Sequence, residues 1–298
     1  MSSLPLTSVI IVAADSGPGL VEAVRTVLAS EAPVEVLISD NASSDGSVAA
    51  VAAAFGDDAR VRIVYNGKNL GFGAGVNRAA GLARGDYLLV LNPDCLLQPD
   101  TLPRLQAQAA TIPGLGVIGV RIQHPDGSDE LASIRRDPTL CRSVASLSGL
   151  ARLADRWPRL QGVDLALDLQ ARGADQPAEV ISGALMYLPR AAFDAVSGFD
   201  EGYFLHCEDL DLCRRLRDSG YAVHYAGSIA VIHGKGGSSR HRPVFVAWHK
   251  HRGMWRWFRR FDPAARNPLL AALVFAGLWA RFVLLVPWLH WRRYRRKR

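Results

Sequence analysis

Val34-Glu-Val-Leu-Ile-Ser-Asp-Asn-Ala-Ser-Ser-Asp-Gly-Ser47 is the stretch on which the fold turns. Val34–Ser39 is a short apolar run rich in β-branched residues, which reads as a buried strand. Asp40-Asn-Ala-Ser-Ser-Asp45 follows without a break, and side chains of these types satisfy turn backbone. Ser47–Phe55 then reads as a helix. The same strand, polar loop and helix recur on either side. Val9–Val12 leads through Asp15-Ser-Gly-Pro-Gly19 into a helix from Leu20 towards Ala29, with Leu20, Val24, Val27 and Leu28 on one side. Val61–Tyr65 leads through Asn66-Gly-Lys-Asn-Leu-Gly-Phe-Gly-Ala-Gly75 into a helix reaching towards Ala83. A fourth strand, Asp86–Leu91, ends in Asn92-Pro-Asp94, and a further strand is expected over Gly116–Gln123. Strands alternating with helices predict an α/β fold with a Rossmann-like, mostly parallel central sheet and right-handed crossovers. Such sheets hold ligands beyond the carboxyl ends of their strands. The loops after strands two, three and four all fall on that edge.

Each loop admits two readings. The Asp40–Asp45 loop is a plain connection or a ligand contact. Gly71, Gly73 and Gly75 invite a dinucleotide site, but G-x-G-x-G after the third strand lacks the spacing and position of that fingerprint. Asn92-Pro-Asp94 suits a type I turn with Pro at its second position. It also puts a carboxylate oxygen at a strand end, which suits Mg2+ or Mn2+ held by few protein groups and substrate phosphates.

The second half centres on Gly183-Ala-Leu-Met-Tyr-Leu-Pro-Arg190 and Gly198-Phe-Asp-Glu-Gly-Tyr-Phe-Leu-His-Cys-Glu-Asp-Leu-Asp-Leu-Cys-Arg214. A strand over Ala184–Leu188 runs into a short helix and an aromatic turn. Glu208, Asp209 and Asp211 then open a helix that stops at Gly220. Acids there cap a helix macrodipole, or they stand at a pocket wall behind Tyr203 and Phe204. Tyr221–Tyr225 and Ile229–Ile232 read as two short strands leading to His233 and a glycine-rich basic loop through Ser239, a metal or phosphate contact or a packed histidine. From His124 to about Ala178 the pattern loosens into Pro, Asp, Arg and small residues, read as an excursion carrying part of an acceptor surface.

The 298 residues carry a net charge of +7, and Arg292-Arg-Tyr-Arg-Arg-Lys-Arg298 holds six of the positive charges. Without that tail the chain is near neutral, which argues against a broad nucleic-acid surface, and no nucleic-acid partner is expected. Cys95, Cys141, Cys207 and Cys213 form no C-x-x-C pair or metal ladder and read as reduced thiols. The first residues lack a basic n-region, so no signal peptide is expected.

Taken in order, Asp40-Asn-x-Ser-x-Asp-Gly-Ser47, Asn69-x-Gly-Phe-Gly73, Asn92-Pro-Asp94, Ser182-Gly-Ala184, Gly198-Phe-Asp-Glu201, Glu208-Asp-x-Asp-Leu212 and His233 resemble a family 2 glycosyltransferase of GT-A fold, in its rhamnosyltransferase-like branch. The resemblance spans roughly residues 7–240. Weaker similarity in His124-Pro-Asp-Gly-Ser128 and Ala247-Trp-His-Lys-His251 points to bacterial enzymes that build cell-surface polysaccharide. It implies a GT-A domain over 1–240, with a nucleotide-sugar half (1–115) and an acceptor half (116–240). It implies that Asp40 and Asn41 contact base and ribose, and that Asn69 and the Gly71–Gly75 loop close around a dTDP- or UDP-sugar. Asp94 stands for the metal-binding acid of the family's D-x-D element, with Asn92 in the place of the first acid, and His233 completes the metal or diphosphate site. Asp209 stands for the catalytic base, flanked by Glu208 and Asp211, with Ser182, Gly183 and Asp211 on the acceptor side. The implied reaction is an inverting transfer, of rhamnose from dTDP-rhamnose in particular, to a lipid-linked or polysaccharide acceptor. One departure stands out: relatives usually end the first strand Asn-Tyr-Asn, whereas here it reads Ala13-Ala14-Asp15. Outside the resemblance, the strand-end acids also suit a nucleotidyltransferase, and the basic tail a non-catalytic membrane scaffold.

Residues 241–298 read as a membrane-associating segment. Val244–Phe261 interleaves Trp248, Trp255 and Trp257 with Arg252, Arg256, Arg259 and Arg260, the pattern of an interfacial amphipathic helix or of a single-strand stacking surface. Leu269–Leu289 is apolar apart from Arg281 and Pro287. Its Leu, Val and Phe contribute roughly −4 to −7 kcal/mol towards insertion, against about +3 for Arg281. Basic residues at both ends favour a re-entrant or in-plane segment on the cytoplasmic face, with the tail on anionic lipid; the alternative is a buried helix of the catalytic domain.

Overall fold

Every residue of β1 (Thr7–Ala13) and β2 (Val34–Asp40) is buried, as expected for central strands covered on both faces. The computed structural model describes residues 4–165, 169–234 and 242–295, with side chains apart from those of 169–170 and 292–295. After α1 (Gly19–Leu28), β2 and α2 (Ser47–Phe55) come β3 (Val61–Tyr65), α3 (Phe72–Ala80), β4 (Tyr87–Leu91), β5 (Cys95–Leu96), α4 (Thr101–Thr111) and β6 (Leu115–Gln123). The chain continues through β7 (Ile134–Arg135), α5 (Leu140–Ser148), the one-turn α6 (Leu169–Arg172), β8 (Asp175–Pro177), β9 (Val180–Ile181), β10 (Leu185–Pro189), α7 (Arg190–Ala195), α8 (Glu208–Asp218) and β11 (Ala222–His233). Two helices, α9 (Pro243–Phe261) and α10 (Pro268–Arg295), complete it.

The main sheet has nine strands in the order β3-β2-β1-β4-β10-β6-β11-β5, with β8 also on β11. Six of them, β3, β2, β1, β4, β6 and β11, point the same way, while β10 runs antiparallel between β4 and β6. The mostly parallel α/β sheet expected from the strand–helix alternation is therefore present. Alternate residues of each strand feed the two faces: Val9 and Ile11 join α1, α2 and α4, whereas Ile10 and Val12 join α3, α7, α8 and α9.

The structure corrects the strand count near the site and the alternative for the C-terminal segment. The two short strands expected over Tyr221–Ile232 are one strand, β11, whose register against β6 shifts between Ala226 and Ala230. Gly227 sits at that bulge, where an added Cβ would strike the Arg172 carbonyl, so the glycine marks a close crossing rather than a strand end. Pro287 lies inside one helix running from Pro268 to Arg295. The buried-helix alternative for this segment also fails: Pro268–Trp291 is apolar over 24 residues, and 6% of its most apolar window is buried. The glycine-rich basic loop over 235–239 and the charges of the 292–298 tail lie outside the described residues.

Candidate active site

Three chain crossings meet beyond the carboxyl end of β4. The Asn92 amide donates to the Ala184 carbonyl at 2.9 Å, tying the turn after β4 to the residues that enter β10. Gly234, at the end of β11, donates its amide to the Asp94 carbonyl at 2.8 Å. This brings the His233 ring to the same turn: its Nε2 lies 3.1 Å from Asp94 Oδ1 and 3.2 Å from the side-chain Nδ2 of Asn92. Its Nδ1 lies 3.0 Å from Glu130 Oε2. Burial alone lowers the pKa of the ring, but the hydrogen bonds and charges of Asp94 and Glu130 outweigh it and raise it to about 9. Asp94 Oδ2 is buried and has no hydrogen-bond partner.

An orphaned carboxylate oxygen beside an imidazole is a donor set that fits a divalent cation. Asp94, Cys95 and His233 offer ligand atoms within 4.8 Å of one another. Cys95 is the weakest of the three. It is fully buried, its thiol is pushed well up by burial, and its Sγ lies 3.5 Å from the Ala184 carbonyl. A protonated thiol does not suit a hard cation, so Asp94 and His233 are the fitting pair. Glu130 was not singled out from the sequence. It engages the far ring nitrogen, the arrangement by which a carboxylate fixes the tautomer of a metal-binding histidine.

The second carboxylate group approaches the same edge through the entry to β10. Asp209, in the first turn of α8, accepts from the Gly183 amide at 3.2 Å and from Arg135 Nη2 at 2.6 Å through Oδ2. Its Oδ1 accepts from the Leu210 amide at 2.9 Å. Gly183 precedes Ala184, whose carbonyl holds Asn92, so one backbone crossing joins the Asp94 and Asp209 sites. An added Cβ at Gly183 would lie 3.4 Å from the Asp209 side chain. Arg135 also lies near enough to Glu130 for its charge to lower that carboxyl's pKa, after the larger effect of the His233 hydrogen bond. The preceding turn is strained: His206 and Cys207 both adopt positive φ, 67° and 72°, costly for residues with a Cβ and commonest at functional sites.

The neighbouring acids differ from Asp209. Glu208 is buried, its Oε2 lacks a partner, and burial together with the Asp209 charge pushes its carboxyl up to about 8. Asp211, expected on the acceptor side, is fully buried instead; its oxygens go to Arg215 and, at 3.0 Å, to Arg260 of α9. Helix periodicity explains the split, since residues two apart point to opposite sides. Ser182 turns its hydroxyl back onto the Ala184 amide at 3.2 Å.

On the other flank, Asp40 ends β2 and accepts from the Ser43 amide at 2.8 Å. Asn41 is buried and knits loops together: it donates to the Gly71 carbonyl at 3.0 Å and accepts from Asn66 at 2.9 Å and the Leu70 amide at 3.3 Å. Asn69 folds onto the Gly71 amide at 2.9 Å. The glycines of this loop answer to packing. Gly71 has φ 89°, and a Cβ there would sit 2.5 Å from the Phe204 carbonyl; at Gly73 it would meet Phe199, and at Gly75 Val12. The loop thus docks onto the aromatic turn that precedes Asp209. Asp15 accepts from the Ser44 amide at 2.7 Å and ties the β1 loop to the β2 loop.

Comparisons with known proteins bear on the family and the fold. Residues 8–161 match the model of glycosyl transferase family 2. The chain is 34% identical over 269 residues to the N-acetylglucosaminyl-diphospho-decaprenol L-rhamnosyltransferase of Mycobacterium tuberculosis, covering 82% of this chain and 85% of that protein. It is 28% identical to the rhamnosyltransferase WbbL of Escherichia coli K12 over 156 residues, 51% of this chain and 53% of WbbL. In fold it is similar to a mannosyltransferase of Pyrobaculum calidifontis solved in complex with GDP-Man and Mn2+, with a TM-score of 0.59 and 17% identity over 95% of this chain and 75% of that one.

Proposed function

The chain belongs to glycosyl transferase family 2, and from that premise we propose that it is an inverting, metal-dependent rhamnosyltransferase. Its donor is dTDP-rhamnose and its acceptor a lipid-linked or cell-surface polysaccharide, reached from the cytoplasmic face of the membrane. One observation carries this reading: a carboxylate with an unpartnered oxygen beside a histidine, and a second carboxylate held by an arginine and an amide, share one sheet edge. The mycobacterial relative's name supports the sugar and the lipid-linked acceptor.

Asp94 and His233 would hold Mg2+ or Mn2+, which supplies Lewis-acid neutralisation of the charge that develops on the leaving diphosphate. Glu130 keeps the His233 ring turned towards Asp94. On the acceptor side, Asp209 receives the proton of the incoming hydroxyl as its oxygen bonds to the anomeric carbon. The bond from that carbon to the diphosphate oxygen breaks, and the nucleoside diphosphate leaves with the electron pair. A positioned base of this kind contributes ~10²–10⁴ in rate. One in-line displacement with one base inverts the anomeric centre. Arg135 and the Gly183 amide orient Asp209, while Asp40, Asn69 and Gly71 line the donor side and Asn41 acts through the loops it ties. Asn92 supports His233, and Ser182 shapes the entry to β10. Glu208, buried behind Asp209, acts on it as a neighbour without reaching substrate.

Product analysis tests this reading. With dTDP-rhamnose, Mn2+ and a polyprenyl-diphosphate-linked N-acetylglucosamine acceptor, the expected products are a rhamnosylated lipid and dTDP, both lost on chelation. Transfer from UDP-sugars only, or transfer undiminished by chelator, contradicts it.

A further inference from the structure

The C-terminal helices form an antiparallel hairpin that carries a basic groove on its rim. Trp248 meets Trp279 with ring centroids 4.7 Å apart, His251 meets Phe282 at 5.5 Å, and Trp255 meets Phe275 at 5.1 Å. α9 therefore runs beside the first half of α10, while its other side presses Trp257 into the domain. Beside this seam lies a cleft of about 530 Å3 lined by Gly202, Arg252, Trp255, Arg256, Arg259 and Arg260.

The charges in the groove do not balance. Arg256 and Arg260 share Asp200, at 2.9 and 2.6 Å, and Arg260 also reaches the buried Asp211. Arg252 and Arg259 are exposed, and neither has a carboxylate partner among the described residues. Arg259 lies 5.7 Å over the Trp255 ring. The wall formed by Trp255 continues onto Phe275 and the apolar surface of α10, where Leu269 is 75% and Leu273 67% exposed. The groove thus offers cationic donors next to the exposed apolar side of α10, which complements a ligand with an anionic head and an apolar tail.

The pairing also restricts how α10 can meet a bilayer. Were it to cross, α9 would travel at the same depth and carry Arg252, Arg256 and Arg259 into hydrocarbon, at about +2.5 to +3.5 kcal/mol each. Lying in the interface, the same arginines reach the phosphate level while α10 sinks its apolar side.

We propose that this groove is an anionic phospholipid headgroup site, and that it holds the α9–α10 hairpin in the plane of the membrane surface. The proposal rests on the membrane-associated reading of the enzyme and is independent of the assignment of its donor sugar. Vesicle co-sedimentation of the full chain tests it, with vesicles of phosphatidylcholine alone and of equal parts phosphatidylcholine and phosphatidylglycerol. The variant Arg252→Gln/Arg259→Gln removes the two arginines that hold no ion pair, so its fold is expected to persist. Partitioning onto the anionic vesicles should fall about 5-fold per arginine, roughly 30-fold for both, with partitioning onto neutral vesicles unchanged. The drop should persist in a chain shortened before Arg292, which separates the groove from the basic tail. Equal binding of wild type and variant to anionic vesicles would overturn the groove while leaving membrane association intact. Failure of wild type to bind either vesicle would overturn the membrane reading itself. Unchanged vesicle binding combined with weakened binding of farnesyl diphosphate would reassign the groove to a lipid diphosphate and overturn the proposal.

Discussion

Asp94 and Asp209 stand on either side of one backbone crossing, yet their surroundings differ. Asp94 faces a histidine and keeps one buried oxygen without a partner. Asp209 has both oxygens engaged, by an arginine, the Gly183 amide and the Leu210 amide. An incomplete set of partners suits a group awaiting a ligand, and a complete one suits a group whose direction must be fixed. In the proposed reaction this difference divides the chemistry: the Asp94 side would grip the donor, and the Asp209 side would manage the acceptor's proton.

Variants sharpen or break that division. The largest effect is expected from Asp209→Asn, which keeps the shape but removes the base; the turnover rate should fall ~10²–10⁴-fold. Turnover near wild type in that variant would remove Asp209 from the chemistry. Arg135→Lys keeps a charge but loses the planar fork, so Asp209 loses its fixed direction. Here kcat should fall by roughly 10- to 100-fold with KM for the donor unchanged, and a change confined to KM would instead assign Arg135 to donor binding. Glu130→Ala frees the His233 ring, and Mn2+ affinity measured by titration calorimetry should weaken by about 10- to 100-fold. An unaltered affinity would leave Glu130 as a structural partner only.

The smallest effect concerns Glu208 and is read as stability against pH. Its carboxyl titrates at about 8 in the folded chain against a reference of 4.5. Below pH 4.5 it is protonated folded and unfolded alike and carries no penalty. As pH rises from there through 8 the unfolded chain ionises more readily, and stability is lost. Glu208→Gln is neutral throughout, so its melting temperature should pull ahead of wild type across that window. A constant offset at all pH values would contradict the shift.

The sequence made the first four strands and their helices legible because their signals are local. Ser47–Phe55 and Val61–Tyr65 form the helix and strand expected, since apolar runs bounded by turn residues leave few alternatives. α8 begins at Glu208 for the same reason. Glu130 and Arg135 were not legible. Both stand among other charges (Asp129, Arg136, Asp137) in an aperiodic stretch, and their partners lie 103 and 74 residues away. One signal was available: Pro125-Asp-Gly127 is a hairpin turn, closed by His124 and Ser128 at 2.8 Å. It sends the chain back along the end of β6, over the site. The glycines of the 71–75 loop were legible only in part. The spacing already set them apart from a dinucleotide fingerprint, but their contacts with Phe204, Phe199 and Val12 are long-range packing that no local motif announces.

Donor binding by Asp94→Ala and Asp209→Asn, each titrated calorimetrically with dTDP-rhamnose in Mn2+ and again in chelator, tests the division of labour most directly. Asp209→Asn should bind donor as wild type does and lose that binding with the metal, while Asp94→Ala should bind weakly and be indifferent to Mn2+. Equal loss of metal-dependent binding in both variants, or in neither, would contradict the account.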